Sequence, residues 1–264
     1  MLRHPFPPLD LAAMTAVPPP PSIATLERAA LTAVPAPRLA WDGGFVVRGF
    51  RGGTGRANAA CCLDPAPDPE LPARVARIEA DFARWNLVPR FRSTPLDPPG
   101  LVPLLLARGY AEAEGARVMA GPLDGLSGVS PLGEHLDGPA EDWLAVLGTA
   151  EYQTPARRAE KAAALPLLAR PATWLLHRAE GVPAASAQAI ADASLCGIFD
   201  VATDPRFRRR GLARGVLAAI AQWGAAQGAD TAWLQVATGN TGAQRLYEAL
   251  GLREIYRYRY FLRP

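Results

Sequence analysis

The stretch Asp204–Val216, DPRFRRRGLARGV, crowds Arg206, Arg208, Arg209, Arg210 and Arg214 around Gly211, where an apolar helical run begins. A helix starting there exposes backbone N–H groups that have no intrahelical acceptor, and its dipole favours negative charge. Gly211 and the small Ala213 let a bulky anion reach the backbone, and the arginines add charge-assisted donors. Such a turn suits either a polyanion or one phosphorylated molecule. A nucleic-acid surface continues its basic residues along a helix face, whereas Gly215 to Gly228 contains none. The turn therefore points to a single local phosphate or pyrophosphate.

Positioning this turn falls to the most regular part of the chain. It reads strand (LCGIFDVAT), turn, helix (GLARGVLAAIAQWGAAQG), strand (TAWLQVA), helix (TGAQRLYEALG) and strand (EIYRYRYF). The first helix keeps Leu212, Val216, Ile220 and Trp223 on one stripe and stops at Gly228; the second keeps Ala243, Leu246, Tyr247 and Leu250 together and stops at Gly251. A strand–helix–strand succession of this kind implies a right-handed crossover between two parallel strands. Asn240 is placed to cap the second helix. Tyr256, Tyr258 and Tyr260 alternate with Arg257 and Arg259, as in a half-buried closing strand, and are assigned no chemistry.

The turn Arg208-x-x-Gly211-x-Ala213, led by Thr203-Asp204-Pro205-Arg206-Phe207, resembles the acyl-CoA signature of the GNAT superfamily of N-acyltransferases. Downstream, Asn240-x-x-Ala243-x-x-x-Tyr247-Glu248-x-x-Gly251 resembles that family's second motif, with Leu252 in its terminal aromatic position. The resemblance covers about 195–262 and implies an α/β fold with a mixed sheet and acetyl-CoA as co-substrate, without a metal. Val201, Ala202 and Thr203 would pair their backbone with the pantetheine arm. The N–H groups of Arg209, Arg210, Gly211, Leu212, Ala213 and Arg214, with Arg208, would hold the pyrophosphate. Asn240 and Ala243 would flank the arm, and Tyr247 would lie near the sulfur. Parallel strands splaying apart after Val201 would open the slot, with a backbone N–H there for the oxyanion. A phenol of ordinary pKa near 10 suits Tyr247 to protonating the departing thiolate.

The family's usual glutamate base aligns with Gln235, which cannot accept a proton. Asp200 is the nearest ionisable substitute, or else makes a structural hydrogen bond; the amine could instead lose its proton through water or bind neutral. The resemblance implies direct acetyl transfer to a primary amine of a small molecule or peptide. The alternative is a non-catalytic acyl-CoA sensor or interaction protein on the same fold.

The chain has 264 residues, 49% hydrophobic and 20% charged, with a net charge of +3, too weak by itself to indicate nucleic acid. Lys161 is its only lysine. Cys61, Cys62 and Cys196 read as reduced thiols, and His4, His135 and His177 are too scattered to suggest a metal site. No apolar run is long enough to span a bilayer, and the proline-broken start lacks a signal-peptide core, so a cytoplasmic monomer or homodimer without membrane or nucleic-acid partners is expected.

Residues 1–21 read as a disordered proline-rich extension, 22–120 as an N-terminal lobe, 121–140 as a glycine-rich linker and 141–264 as the catalytic domain. Within 22–120, Ser22 caps a helix whose stripe is Ile23, Leu26, Ala30 and Leu31. Strands over 44–50 and 57–63 flank RGGTGR as a hairpin turn, which opens no helix, so the anion-binding argument does not extend to it. Trp41-Asp42-Gly43-Gly44-Phe45-Val46-Val47-Arg48 and Arg56-Ala57-Asn58 resemble a paired motif of two-part bacterial GNAT proteins. This lobe is expected to be a degenerate GNAT-like half that helps shape the acceptor pocket, with Arg48, Arg56 and Asn58 either lining that pocket or serving structure.

Overall fold

The computed structural model describes residues 19–150 and 152–263, so the expected extension falls, up to residue 18, outside it. Helix α1 (Ile23–Ala33) begins as its cap dictates, with the Ser22 hydroxyl accepting the Thr25 N–H at 3.1 Å. Next come β1 (Arg38–Asp42), β2 (Phe45–Gly49), β3 (Ala60–Cys62), α2 (Leu71–Arg84), β4 (Arg90–Ser93), α3 (Leu101–Ala107) and β5 (Ala111–Pro122). The second half holds β6 (Glu134–Leu136), α4 (Glu141–Gly148), α5 (Pro155–Ala164), β7 (Ala172–Ala179), β8 (Val182–Asp192) and β9 (Leu195–Thr203). It closes with α6 (Leu212–Ala226), β10 (Thr231–Ala237), α7 (Thr241–Glu248) and β11 (Arg253–Leu262). The sequence reading places no strand at β1, a five-residue edge strand whose apolar Leu39 and Trp41 stay exposed instead of joining a core. The run 121–140, read as a linker, carries the end of β5, a 3-10 turn and β6, and the Leu132 N–H bonds the Gly215 carbonyl at 2.9 Å.

The eleven strands of the described residues form one sheet in the order β1-β2-β3-β4-β11-β5-β10-β9-β8-β7-β6. The succession strand–helix–strand–helix–strand occurs twice, as β3-α2-β4-α3-β5 and as β9-α6-β10-α7-β11. Each succession gives its last strand away: β5 lies against β10, and β11 against β4, with β5 and β11 antiparallel to each other at the centre. At that seam Gly115 is needed for close approach, because a Cβ there would sit 2.1 Å from the Tyr258 carbonyl oxygen. β11 is thus a central strand, where a closing strand is expected.

Strand alternation divides the core between two faces. Met119, Ile198 and Leu234 pack under Val216 and Ile220 of α6, whereas Val118, Phe199 and Trp233 pack under Leu26 and Ala30 of α1. α2 and α3 cover β2–β4 through Val75, Ile78, Phe82 and Leu105, and Trp143 of α4 packs on β7–β9. No helix among the described residues is long and apolar enough to cross a membrane.

Candidate active site

β9 and β10 run parallel from Leu195↔Thr231 to Ile198↔Leu234, and the pairing stops there. The expectation put the divergence after Val201; it begins after Ile198. The reason is Asp200, whose φ of +54° is left-handed for a non-glycine residue, and beside it the β8–β9 register shifts between Ser186 and Gln188. Such a bulge re-aims a strand. The Asp204 N–H bonds the Ala184 carbonyl at 2.9 Å, so by alternation Val201 and Thr203 turn their peptide groups away from β8 into the opening. Ala202 by the same alternation faces β8, and its side chain joins the α4 cluster, so the slot's edge is Val201 and Thr203, not all three residues.

The opening is a cavity of about 310 Å³ lined at one end by Val201, Asn240, Ala243 and Tyr247. The arginine turn follows Val201 and Thr203 along the chain and is not part of that lining. Gly211 has φ +80° and caps α6, a geometry that strains any L side chain, and the space where its Cβ would stand is open. Among the described residues the backbone N–H groups of Arg209 through Arg214 have no acceptor. The arginines divide. Arg206 is held by both oxygens of Asp204, at 2.9 and 3.0 Å; Arg210 pairs with exposed Glu180; Arg208 makes one long bond, 3.4 Å, to the Thr203 carbonyl. Arg209 and Arg214 have no ion-pair partner among the described residues. Unsatisfied N–H groups around an open space, with cations beside them, fit a pyrophosphate.

Tyr247 is buried on α7 and its hydroxyl makes no hydrogen bond among the described residues. Burial pushes its phenol up, with the nearby Tyr152 phenol adding to the effect. It is therefore a neutral donor throughout the physiological range, a weaker acid than the free side chain. Asn240 caps α7 by accepting the Ala243 N–H at 3.1 Å while also lining the slot. Gln235 lines the slot too; its Oε1 accepts the Tyr258 hydroxyl at 3.1 Å and its Nε2 is buried without a partner among the described residues. Asp200 is buried and ion-paired to Lys161, whose Nζ also donates to Gln188 Oε1 at 2.6 Å. Burial lowers the Lys161 ammonium and the Asp200 charge opposes that shift.

Several residues at the far end of the slot escaped the sequence reading: Tyr152, Arg157 and Arg90, with Tyr258 and Tyr260 of the central strand. Burial, then the charge of Asp200, pushes the Tyr152 phenol up to about 12. Arg56 does line the cavity, as one alternative held. Arg48 and Asn58 are structural: Arg48 donates to the carbonyls of Leu31, Val34 and Arg56, and the Asn58 Oδ1 takes the Phe50 and Gly52 N–H groups. The RGGTGR loop departs from expectation. It does bind an anion, the buried carboxylate of Glu160 on α5, which accepts the N–H groups of Arg51, Gly53 and Thr54 at 2.8–3.0 Å and Asn58 Nδ2 at 3.0 Å. No helix is needed where successive peptide N–H groups converge.

A slot between diverging parallel strands, headed by a glycine-capped N–H cradle, defines an acyltransferase of the GNAT superfamily, and comparison with known proteins agrees. The chain belongs to the family described as "Probable histone acetyltransferase Rv0428c C-terminal", whose model matches residues 21–261. It is similar to a GCN5-related N-acetyltransferase from Kribbella flavida, 25% identical, with a TM-score of 0.69 over 92% of this chain and 97% of that one. A tandem GNAT protein from the clavulanic acid biosynthesis pathway shares the fold at 14% identity, with a TM-score of 0.61 over 96% of this chain and 91% of that one. A segment of 58 residues is 40% identical to the ribosomal protein bS18-alanine N-acetyltransferase of Haemophilus ducreyi, covering 22% of this chain and 40% of that protein. The chain thus spans well under half the length of that curated relative. The family match and the Kribbella structure place the chain among the acyltransferases.

Proposed function

We propose that the enzyme transfers an acetyl group from acetyl-CoA to a primary amine, directly, in a ternary complex in the second half of the chain. Bound acetyl-CoA supplies the acyl group as a thioester. The N–H groups of Arg209 to Arg214, with Arg208, hold its pyrophosphate; Val201 and Thr203 offer their strand edge to the amide-rich arm, and Asn240 and Ala243 flank it. The Val201 N–H, turned into the slot by the Asp200 bulge, faces the position of the developing oxyanion. The amine nitrogen forms its bond to the acyl carbon as the carbon–sulfur bond breaks; Tyr247 gives its proton to the departing sulfur and is reprotonated by the proton the acylated nitrogen loses.

Asp200 is the carboxylate facing the amine. Asp200, ion-paired with Lys161, holds the incoming ammonium, which gives one proton to water before it attacks. Residues 22–120 act as a degenerate acyltransferase-like half. The single observation supporting this reading most strongly is the run of unpaired N–H groups around Gly211 at the mouth of the slot. An assay of CoA release from acetyl-CoA against a broad amine panel tests it: amine-dependent release is expected, and release at the background hydrolysis rate with every amine would reject it.

A further inference from the structure

The far end of the slot is cationic in a way the CoA end does not require. Arg56, Arg90 and Arg157 all line it, and none has a carboxylate partner among the described residues. Arg56 lies 5.6 Å from the Phe199 ring centroid and Arg90 5.8 Å from that of Tyr260, stacked but not neutralised. Arg157 spends its bonds on the Tyr152 carbonyl, at 2.7 Å, and the Gly53 carbonyl, at 3.4 Å. The acidic groups nearby do not cancel this charge. Glu160, held by four N–H donors of the glycine loop, and the exposed Glu114 each keep a negative charge, and Asp200 is paired with Lys161, so the three guanidinium groups leave one positive charge over and no direct carboxylate contact. Three guanidinium groups without a direct carboxylate partner, in a partly enclosed cleft of net positive charge, present donors that suit planar anions and disfavour cationic ligands.

Beside this cluster stands a second cavity of about 70 Å³. Arg56, Tyr152, Arg157, Phe199 and Asp200 line both, so the two share a rim, and Lys161, Gln188 and Trp174 lie in the smaller one. A cavity of about 150 Å³ takes benzene, so this chamber takes a substituent of roughly two or three heavy atoms.

We propose that the acceptor is a small amine carrying its own anionic group, a carboxylate or phosphate, with Arg56, Arg90 and Arg157 binding the anion, Asp200 facing the ammonium, and the small chamber receiving a short side group. This rests on the acetyltransferase reading above. It excludes polycationic amines and lysine-rich tails as preferred acceptors, although the family's description names histone.

Matched acceptors test the assignment: glycine, L-alanine and L-serine against their carboxamides, phosphoethanolamine against ethanolamine, and a lysine-rich peptide, each with saturating acetyl-CoA. Calorimetry of CoA itself runs in parallel, and of N-acetyl-L-alanine against its amide on the CoA-bound enzyme. At least tenfold higher kcat/KM for the anionic member of one pair is expected, and the pair that shows it tells carboxylate from phosphate. Arg56→Gln and Arg90→Gln should each raise that acceptor's KM about tenfold while leaving CoA affinity unmoved. Equal use of acid and amide, a preference for the lysine-rich peptide, or a CoA-bound enzyme that neither acetylates nor binds any anionic probe would overturn the assignment. Absence of CoA binding would instead remove the reading beneath it.

Discussion

After β9 the chain turns through Arg208, Arg209, Arg210 and Gly211; after β3, at the matching point of the first half, it turns through Asp64, Pro65, Asp68, Pro69 and Glu70. Both turns lead into a helix that crosses to a parallel strand; β9 and β10 pair as far as Ile198↔Leu234, and β3 and β4 pair at Ala60↔Phe91. The turns differ in sign and in how the helix starts. α6 opens on a left-handed glycine with free N–H groups, whereas α2 opens on Glu70 with a proline in its first turn. There two of the acids are paired internally: Arg74 Nε meets Asp68 at 2.5 Å and Arg77 meets Glu70 at 3.4 Å. The helix ends extend the parallel. The Leu252 N–H bonds the Tyr247 carbonyl and the Tyr110 N–H bonds the Leu105 carbonyl, each at 3.0 Å, so a fully buried leucine stands in the first half where the second has its tyrosine. Packing thus keeps one frame while the turn and the residue at the helix end differ, and the exchanged strands β5 and β11 tie each half to the other.

The largest expected effect sits where the halves are pinned together. Glu160→Ala leaves three loop N–H groups and Asn58 without their buried acceptor, at a cost of about 3–5 kcal/mol in unfolding free energy by urea titration. A loss below about 1 kcal/mol would show that the loop does not depend on this carboxylate. Gly211→Val forces a β-branched side chain into a left-handed conformation and should weaken CoA at least 100-fold, about 2.7 kcal/mol. Asp64→Asn, in the acidic turn, should leave CoA affinity within twofold.

Tyr247→Phe should lower kcat by about 10- to 100-fold with CoA affinity nearly unchanged. Leu105→Phe, its counterpart, should alter stability alone; a change in kcat as large as that of Tyr247→Phe would contradict the division of roles. The smallest effect concerns Asp97, ahead of α3, whose carboxyl is pushed up by burial to about 6 from 3.8. Because the fold favours its protonated form, the stabilisation is complete below about pH 4 and is lost as pH rises through about 6. Asp97→Asn should therefore flatten the stability profile between pH 4 and 7 by about 2 kcal/mol, allowing for partial exposure.

The second half was legible because its signals are local: Gly211 at a helix start, stripes of period 3.6, an Asn cap, and glycine stops at residues 228 and 251. The Asp200 bulge is a left-handed non-glycine residue in an apolar strand, and nothing around it in the sequence marks the kink. The exchange of β5 and β11 joins residues about 140 positions apart, which no periodicity encodes. Glu27, outside the stripe Ile23, Leu26, Ala30 and Leu31 that marks α1, is buried against Arg92 and the Tyr256 hydroxyl. Arg56, Arg90 and Arg157 come from three separate elements, so only the folded chain reveals their common cleft. One clue was available: α5 carries the chain's single lysine beside Glu160, on a helix too polar to be held by apolar packing.

The most direct measurement is the stoichiometry of CoA binding by titration calorimetry on the wild-type chain and on Gly211→Val. One site per chain is predicted, abolished by the valine. Two sites, or a single site that survives the substitution, would contradict a cradle built only at the arginine turn.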